Sequence, residues 1–126
     1  MAASILVIDD DESIRDLLRL HLSAAGYEVH VAPDAIAAGY HVLRSPPDLI
    51  ISDIHMPHMD GFEFIAALKA DTTLPSIPVI FLTSLDDGDD RGKQLGAVDY
   101  LTKPVRADRL LQLVAEHVPG GALPIG

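Results

Sequence analysis

Three short apolar runs limit the fold more than any other feature of this chain: I-L-V-I at 5–8, L-I-I at 49–51 and V-I-F-L at 79–82. None alternates with polar residues. A strand with one wet face alternates, whereas a strand covered on both faces reads as a continuous apolar run, the mark of a parallel sheet. Parallel neighbours need a crossover segment between them, most often a helix. Helical patterns do fill the gaps. Ile14, Leu17, Leu18 and Leu22 recur at three and four residues, giving one apolar face with Gly26 as a stop. Asp34 can cap a second helix running to about Arg44, which Pro46 and Pro47 end. Asp60 with Glu63 three residues on forms a capping-box pattern that opens a third helix, from Phe62 to about Lys69. Leu110, Leu111, Val114 and Val118 make the stripe of a last helix, and weaker strands fit Glu28–Ala32 and Val98–Leu101. The sequence therefore predicts an α/β chain of about five β-α units, folded as a doubly wound parallel sheet with helices on both faces.

Composition removes several classes of function. At 126 residues, 48% of them hydrophobic, the chain suits a single domain with a packed core. A formal net charge of −10 disfavours nucleic acid or an anionic membrane as direct partner and favours a metal ion or a basic protein. There is no cysteine, hence no disulfide framework and no thiolate metal site. No apolar run approaches the ~20 residues of a membrane span. The first apolar run leads straight into acid, unlike a secretion signal, so a cytoplasmic location is expected. The domain is expected over residues 1–118. P-G-G-A-L-P-I-G at 119–126 reads as a tail or the start of a linker.

The end of the first run poses a physical question, because Asp9, Asp10, Asp11 and Glu12 follow Ile8 directly. Two carboxylates ~4 Å apart repel by about 4 kcal/mol at an effective dielectric near 20. Either the charges are spread over a helix start or a cation belongs there. In open parallel sheets, ligands bind beyond the carboxyl ends of the strands. There stand Asp9 and Asp10 after the first strand, Asp53 after the third, Thr83 and Ser84 after the fourth, and Lys103 with Pro104 after the fifth. These groups converge if the strand order is 2-1-3-4-5, and they separate in the other common doubly wound order. Converged, three carboxylates call for a hard cation, Mg²⁺ or Mn²⁺. A carboxylate beside such an ion can attack phosphorus, with Lys103, Thr83 and Ser84 facing the phosphoryl oxygens.

Four motifs in order, I-L-V-I-D-D-D, P-D-L-I-I-S-D-I-H-M-P-H-M-D-G-F-E, P-V-I-F-L-T-S and D-Y-L-T-K-P, resemble the receiver domain of two-component response regulators. The resemblance runs from residue 4 to about residue 118 and implies a flavodoxin-like (βα)5 fold. It implies Asp53 as phosphoacceptor, charged from the phosphohistidine of a sensor histidine kinase or a phosphotransfer protein. It implies Asp9, Asp10 and Asp53 as Mg²⁺ ligands, with the backbone carbonyl of His55. Lys103 would pair with the phosphoryl group through a cis bond to Pro104. Thr83 and Tyr100 would form a switch pair that remodels a protein-interaction surface for an unknown output domain or protein. Asp11 and Glu12 are left to serve the positive end of the first helix.

The stretch between Thr83 and Lys103 departs from the family pattern by about two missing residues. Gly88, Gly92 and Gly96 fall there, predicting a short or partly unravelled helix. Asp86, Asp87, Asp89 and Asp90 read as an acidic helix start, and His55 with His58 as a turn over the acidic pocket. An apolar Leu85 two residues past Thr83 cannot orient an attacking water, which predicts slow loss of phosphate unless His55 supplies that role. His21, His30, His41 and His117 form no cluster in the sequence. A second class stays open: V-I-D-D-D-E-S also resembles the start of haloacid-dehalogenase-type phosphatases, with Asp9 as nucleophile and Asp11 as acid/base. A receiver that binds partners without phosphorylation is the third.

Overall fold

The computed structural model describes residues 2–56, 59–83 and 98–118. In chain order these form β1 (Ser4–Ile8), α1 (Glu12–Ala24), β2 (Glu28–Ala32), α2 (Ala35–Arg44), β3 (Leu49–Asp53), α3 (Gly61–Ala70), β4 (Val79–Thr83), β5 (Asp99–Thr102) and α4 (Ala107–His117). All strand pairs are parallel, in the order β2-β1-β3-β4-β5. This is the order that brings the polar strand ends together. Residues 84–97, including Leu85, the three glycines and the acidic cluster, lie outside the described residues, as do Pro57, His58 and residues 119–126.

The continuous runs are explained by a core on each side of the sheet. Ile5, Val7, Leu49, Ile51, Ile80 and Leu82 point to one side, against Leu18 and Leu22 of α1 and Leu110, Leu113 and Val114 of α4. Leu6, Ile8, Ile50, Val79 and Phe81 point to the other, against Ala38 and Val42 of α2 and Phe64 and Ile65 of α3. Both parities of each central strand are thus removed from water, and β3 and β4 are buried along their whole lengths. The edge strands β2 and β5 are partly exposed, which is why their sequence signal is weaker. One detail of the helical stripes differs from expectation. Leu113 joins Leu110 and Val114 as buried, whereas Leu111 is only partly buried against the same core.

The helix starts follow the acidic residues. Asp11 accepts a 2.9 Å hydrogen bond from Ser13 N–H and caps α1, with Glu12 in its first turn. Asp34 accepts from Ala37 N–H at 2.9 Å. At α3 both halves of the capping box are present, Glu63 N–H to Asp60 at 2.8 Å and Asp60 N–H to Glu63 at 3.4 Å. Gly26 takes a positive φ of 98° just past α1, a left-handed conformation that its missing Cβ permits.

Candidate functional site

Register sets the site. Ile8 pairs with Ser52, Asp53 with Leu82, and Thr83 with Thr102, so Asp9, Asp53, Thr83 and Lys103 emerge at one end of four adjacent strands. Carboxylate oxygens of Asp9, Asp10 and Asp53 lie within 4.8 Å of one another. Asp9 is completely buried, Asp53 is 6% exposed, and Asp10 faces water. The Lys103 ammonium bridges the two buried acids, 3.0 Å from Asp9 Oδ2 and 3.4 Å from Asp53 Oδ2.

Each group is held by the backbone around it. Asp9 Oδ1 accepts from Asp11 N–H at 2.9 Å, while the Asp9 carbonyl accepts from the Arg15 guanidinium at 2.8 Å. Asp53 Oδ1 accepts from its neighbour Ile54 N–H at 2.8 Å. Lys103 N–H donates to the Thr83 carbonyl at 2.8 Å, and the Lys103–Pro104 peptide is cis. Thr83 is buried at the end of β4. Tyr100 lies opposite Phe81 in the β4–β5 register, half-buried, with ring centroids 6.2 Å apart. His55 follows two residues after Asp53 with an exposed side chain. Ser84 lies beyond the described residues.

The electrostatics are those of a site short of positive charge. Burial, and then the charge of Asp9, push the Asp53 carboxyl above its ordinary value, and Lys103 with the Ile54 N–H only partly offset this. Burial works to lower the Lys103 ammonium, but Asp9 and Asp53 outweigh it and hold the lysine above its usual range. Asp9 Oδ2 is in ion contact with Lys103, yet among the described residues no donor is aligned well enough to give it a hydrogen bond. A buried carboxylate oxygen without an aligned donor, in an all-oxygen set of three acids with one ammonium, fits a hard divalent cation.

Some residues at the site carry no plain signal in the sequence. Gly61 opens α3 directly beneath Asp53, donating its N–H to the Ile54 carbonyl at 2.7 Å. A Cβ there would overlap the Asp53 carbonyl oxygen and stand 3.1 Å from Ile54 Cα. The Asp-Gly step ahead of an apolar helix is the only trace of this requirement. Arg15 is one turn into an amphipathic helix and looks like any solvated cation. The histidines are also less isolated than expected. The His30 and His41 rings lie 4.5 Å apart, and His117 Nε2 is 3.2 Å from Asp99 Oδ2, because β2 sits beside α2 and β5 beside the end of α4.

A family model described as the response regulator receiver domain matches residues 5–115. The chain is 46% identical over 107 residues to the response regulator PleD of Caulobacter vibrioides, covering 83% of this chain and 24% of that protein. It is 41% identical to the DNA-binding dual master transcriptional regulator RpaA of Synechocystis, covering 87% of this chain and 46% of RpaA. It thus spans less than half the length of those relatives. Against an uncharacterised 14.6 kDa protein of Leptolyngbya boryana it is 44% identical, covering 90% of this chain and 88% of that one. Among solved structures, the chemotaxis response regulator CheY4 of Vibrio cholerae superimposes with a TM-score of 0.85 at 35% identity, covering 90% of this chain and 97% of CheY4. With the strand order, the acidic pocket and a family match over most of its length, the chain belongs to the response regulator receiver domains, a family of signalling modules.

Proposed function

We propose that this chain accepts a phosphoryl group on Asp53, with Mg²⁺ or Mn²⁺ present, from the phosphohistidine of a sensor histidine kinase or phosphotransfer protein. The observation that carries the reading is the Lys103 ammonium in contact with both Asp9 and Asp53 at the open end of the sheet. Asp9, Asp10 and Asp53, with the His55 backbone carbonyl, would hold the metal ion, which supplies charge neutralisation to the carboxylates and the phosphoryl oxygens. A carboxylate oxygen of Asp53 attacks phosphorus while the bond from phosphorus to the imidazole nitrogen breaks, and the imidazole leaves with the electron pair. The product is an acyl phosphate on Asp53 and a free histidine on the donor.

Lys103 is anchored through its own N–H to the Thr83 carbonyl, so the ammonium is presented from a fixed strand end. It can follow the new negative charge from carboxylate to phosphoryl oxygen with little movement. The Thr83 hydroxyl and Ser84 serve the remaining phosphoryl oxygens. A shift of Thr83 toward the phosphate leaves space beside β4, into which Tyr100 on the neighbouring strand turns, altering the surface presented to an output domain or protein. The module turns over no free substrate; it gains and slowly loses its own phosphoryl group. Residues 1–118 act as the receiver and 119–126 as a tail or linker start, in the cytoplasm with the kinase. Among the described residues no helix is long and apolar enough to cross a membrane.

The phosphatase reading assigns the nucleophile to Asp9 and acid/base work to Asp11. Asp11 instead caps α1 through Ser13 N–H, and Asp9 is the more deeply buried of the two central acids. Reductive trapping of the acyl phosphate, followed by peptide mass mapping, separates the readings. The mark is expected on the peptide containing Asp53, and a mark on Asp9 overturns the proposal.

A further inference from the structure

At the end of the sheet away from the acidic pocket, β5 begins beside the place where α4 ends. Asp99 is the first residue of β5 and pairs with Ile80 in the register, about 13 Å of strand short of Lys103. Glu116 and His117 close the last turn of α4. A carboxylate oxygen of Asp99, a carboxylate oxygen of Glu116 and a ring nitrogen of His117 lie within 4.8 Å of one another. Among the described residues neither carboxylate is paired with a lysine or arginine, and only the His117 ring faces Asp99. Gln112, one turn earlier on α4, donates to Glu116 Oε1 at 3.4 Å and leaves Oε2 open.

The geometry of the pair is the second observation. Asp99 Oδ1 accepts from Tyr100 N–H at 2.8 Å, which fixes the carboxylate and leaves Oδ2 toward His117. His117 Nε2 stands 3.2 Å from that oxygen. Two donors bound to one tetrahedral Zn²⁺ at about 2.0–2.1 Å each stand ~3.3 Å apart. The two atoms are thus already spaced as one edge of a zinc tetrahedron, and an ion takes the place of the proton that otherwise lies between them. The Asp99 and His117 side chains are 33% and 23% exposed, so the ion is partly withdrawn from water, and the exposed Glu116 can close over it from the solvent side. The donor set differs from that of the acidic pocket. One imidazole with two carboxylates suits a borderline ion such as Zn²⁺, whereas three carboxylates suit Mg²⁺. The His30 and His41 rings, though 4.5 Å apart, belong to no such three-donor group among the described residues.

We infer that Asp99, Glu116 and His117 form a second metal site, for Zn²⁺ or a similar divalent transition ion, with water in the fourth position. Two carboxylates and a neutral imidazole balance the charge of such an ion. Bound there, it clamps the last turn of α4 to the first residue of β5, the strand that carries Tyr100. The site is separate from the acidic pocket and does not rest on phosphorylation of Asp53.

Zn²⁺ titrated calorimetrically into the full chain, with excess Mg²⁺ present to occupy the acidic pocket, tests this. One ion per chain is expected to bind in the micromolar range. Proton NMR of the histidine rings locates it: the His117 signals should move with Zn²⁺ while those of His30 and His41 stay, and Mg²⁺ alone should leave His117 unmoved. His117→Gln and Asp99→Asn should each weaken Zn²⁺ binding at least ~10-fold, and Glu116→Gln by less. Glutamine at 117 keeps a hydrogen-bond donor toward Asp99, and circular dichroism establishes that each variant is folded. Zn²⁺ should also raise the melting temperature of wild type saturably, but not that of His117→Gln. Zn²⁺ affinity unchanged in His117→Gln overturns the inference, as do shifts confined to His30 and His41 or the absence of binding in excess Mg²⁺. Binding that needs His117 but is indifferent to Asp99→Asn is a lone imidazole contact and overturns the site as well.

Discussion

Two helical glycines with opposite surroundings make the sharpest stability prediction. Gly61 and Gly39 both lie within helices, at the start of α3 and the middle of α2. Replacing each with alanine adds the same methyl group. At Gly61 the methyl overlaps the Asp53 carbonyl oxygen and falls 3.1 Å from Ile54 Cα and 3.2 Å from the Asp53 carbonyl carbon. These are backbone atoms of the buried β3 end, and they cannot swing aside as a flexible side chain would. Either α3 lifts at its first turn or the end of β3 is pushed. Lifting α3 breaks the 2.7 Å hydrogen bond from Gly61 N–H to the Ile54 carbonyl, worth about 1 kcal/mol. Residual overpacking adds about 1–3 kcal/mol. Helix propensity returns little at the first helical position. The expected loss is thus about 2–4 kcal/mol, or roughly 10 °C in melting temperature for a domain of this size. At Gly39 the methyl meets one ring carbon at 3.9 Å, and the gain in helix propensity wins, by about 0.5–1 kcal/mol. Urea unfolding at low micromolar concentration measures both. A Gly61→Ala variant within 0.5 kcal/mol of wild type, roughly the spread of a neutral surface change, would refute the close-approach argument. So would a Gly39→Ala variant destabilised as much as Gly61→Ala.

The raised Asp53 carboxyl sets a direction for pH. Its stabilising contribution is complete below the unfolded pKa and is lost as pH rises through the folded one, so ionised Asp53 costs stability at neutral pH. Metal-free Asp53→Asn should therefore melt above wild type at pH 7, with the gap closing toward acid; an equal or lower midpoint contradicts this. His41 behaves in the opposite sense. Burial first, then the charges of His30 and Arg44, hold its imidazole below the ordinary value, so that stability declines as pH falls through the unfolded histidine pKa. In His30→Ala, proton NMR should find the His41 ring titrating at higher pH, and an unmoved titration would show that the ring pair has no electrostatic part. Finally, Mg²⁺ should raise the melting temperature of wild type saturably and EDTA should reverse it. Asp9→Asn should need at least ~10-fold more Mg²⁺ for the same shift, and an unchanged requirement would remove Asp9 from the metal site.

Much of this architecture could be read from the residues, for a physical reason. Strands buried on both faces must be continuously apolar, so β1, β3 and β4 stood out, and the acids Asp11, Asp34 and Asp60 cap the helices that follow them. Once those strands were ordered 2-1-3-4-5, Asp9, Asp53, Thr83 and Lys103 had to share one end of the sheet. Pairwise proximity across the fold was the part that could not be read. Gly61 matters for an atom it lacks, against a carbonyl well back in sequence but adjacent in space. Arg15 holds Asp9 through a main-chain carbonyl, an acceptor that every residue possesses. The exposed apolar stripe of Ile36, Tyr40 and Leu43 on α2 was equally hidden. These three share a ten-residue helix with the buried Ala35, Ala38 and Val42, and in so short a helix two apolar faces blur into one hydrophobic segment.

The central claim is that Asp53 is the phosphoacceptor of a metal-dependent site. Its most direct test is the intact mass of the chain after incubation with acetyl phosphate, with and without Mg²⁺, for wild type and Asp53→Asn. The account predicts a single phosphoryl adduct on wild type that requires Mg²⁺ and disappears in the variant. An adduct that survives Asp53→Asn would contradict it, as would the absence of any adduct from both acetyl phosphate and a phosphorylated histidine kinase.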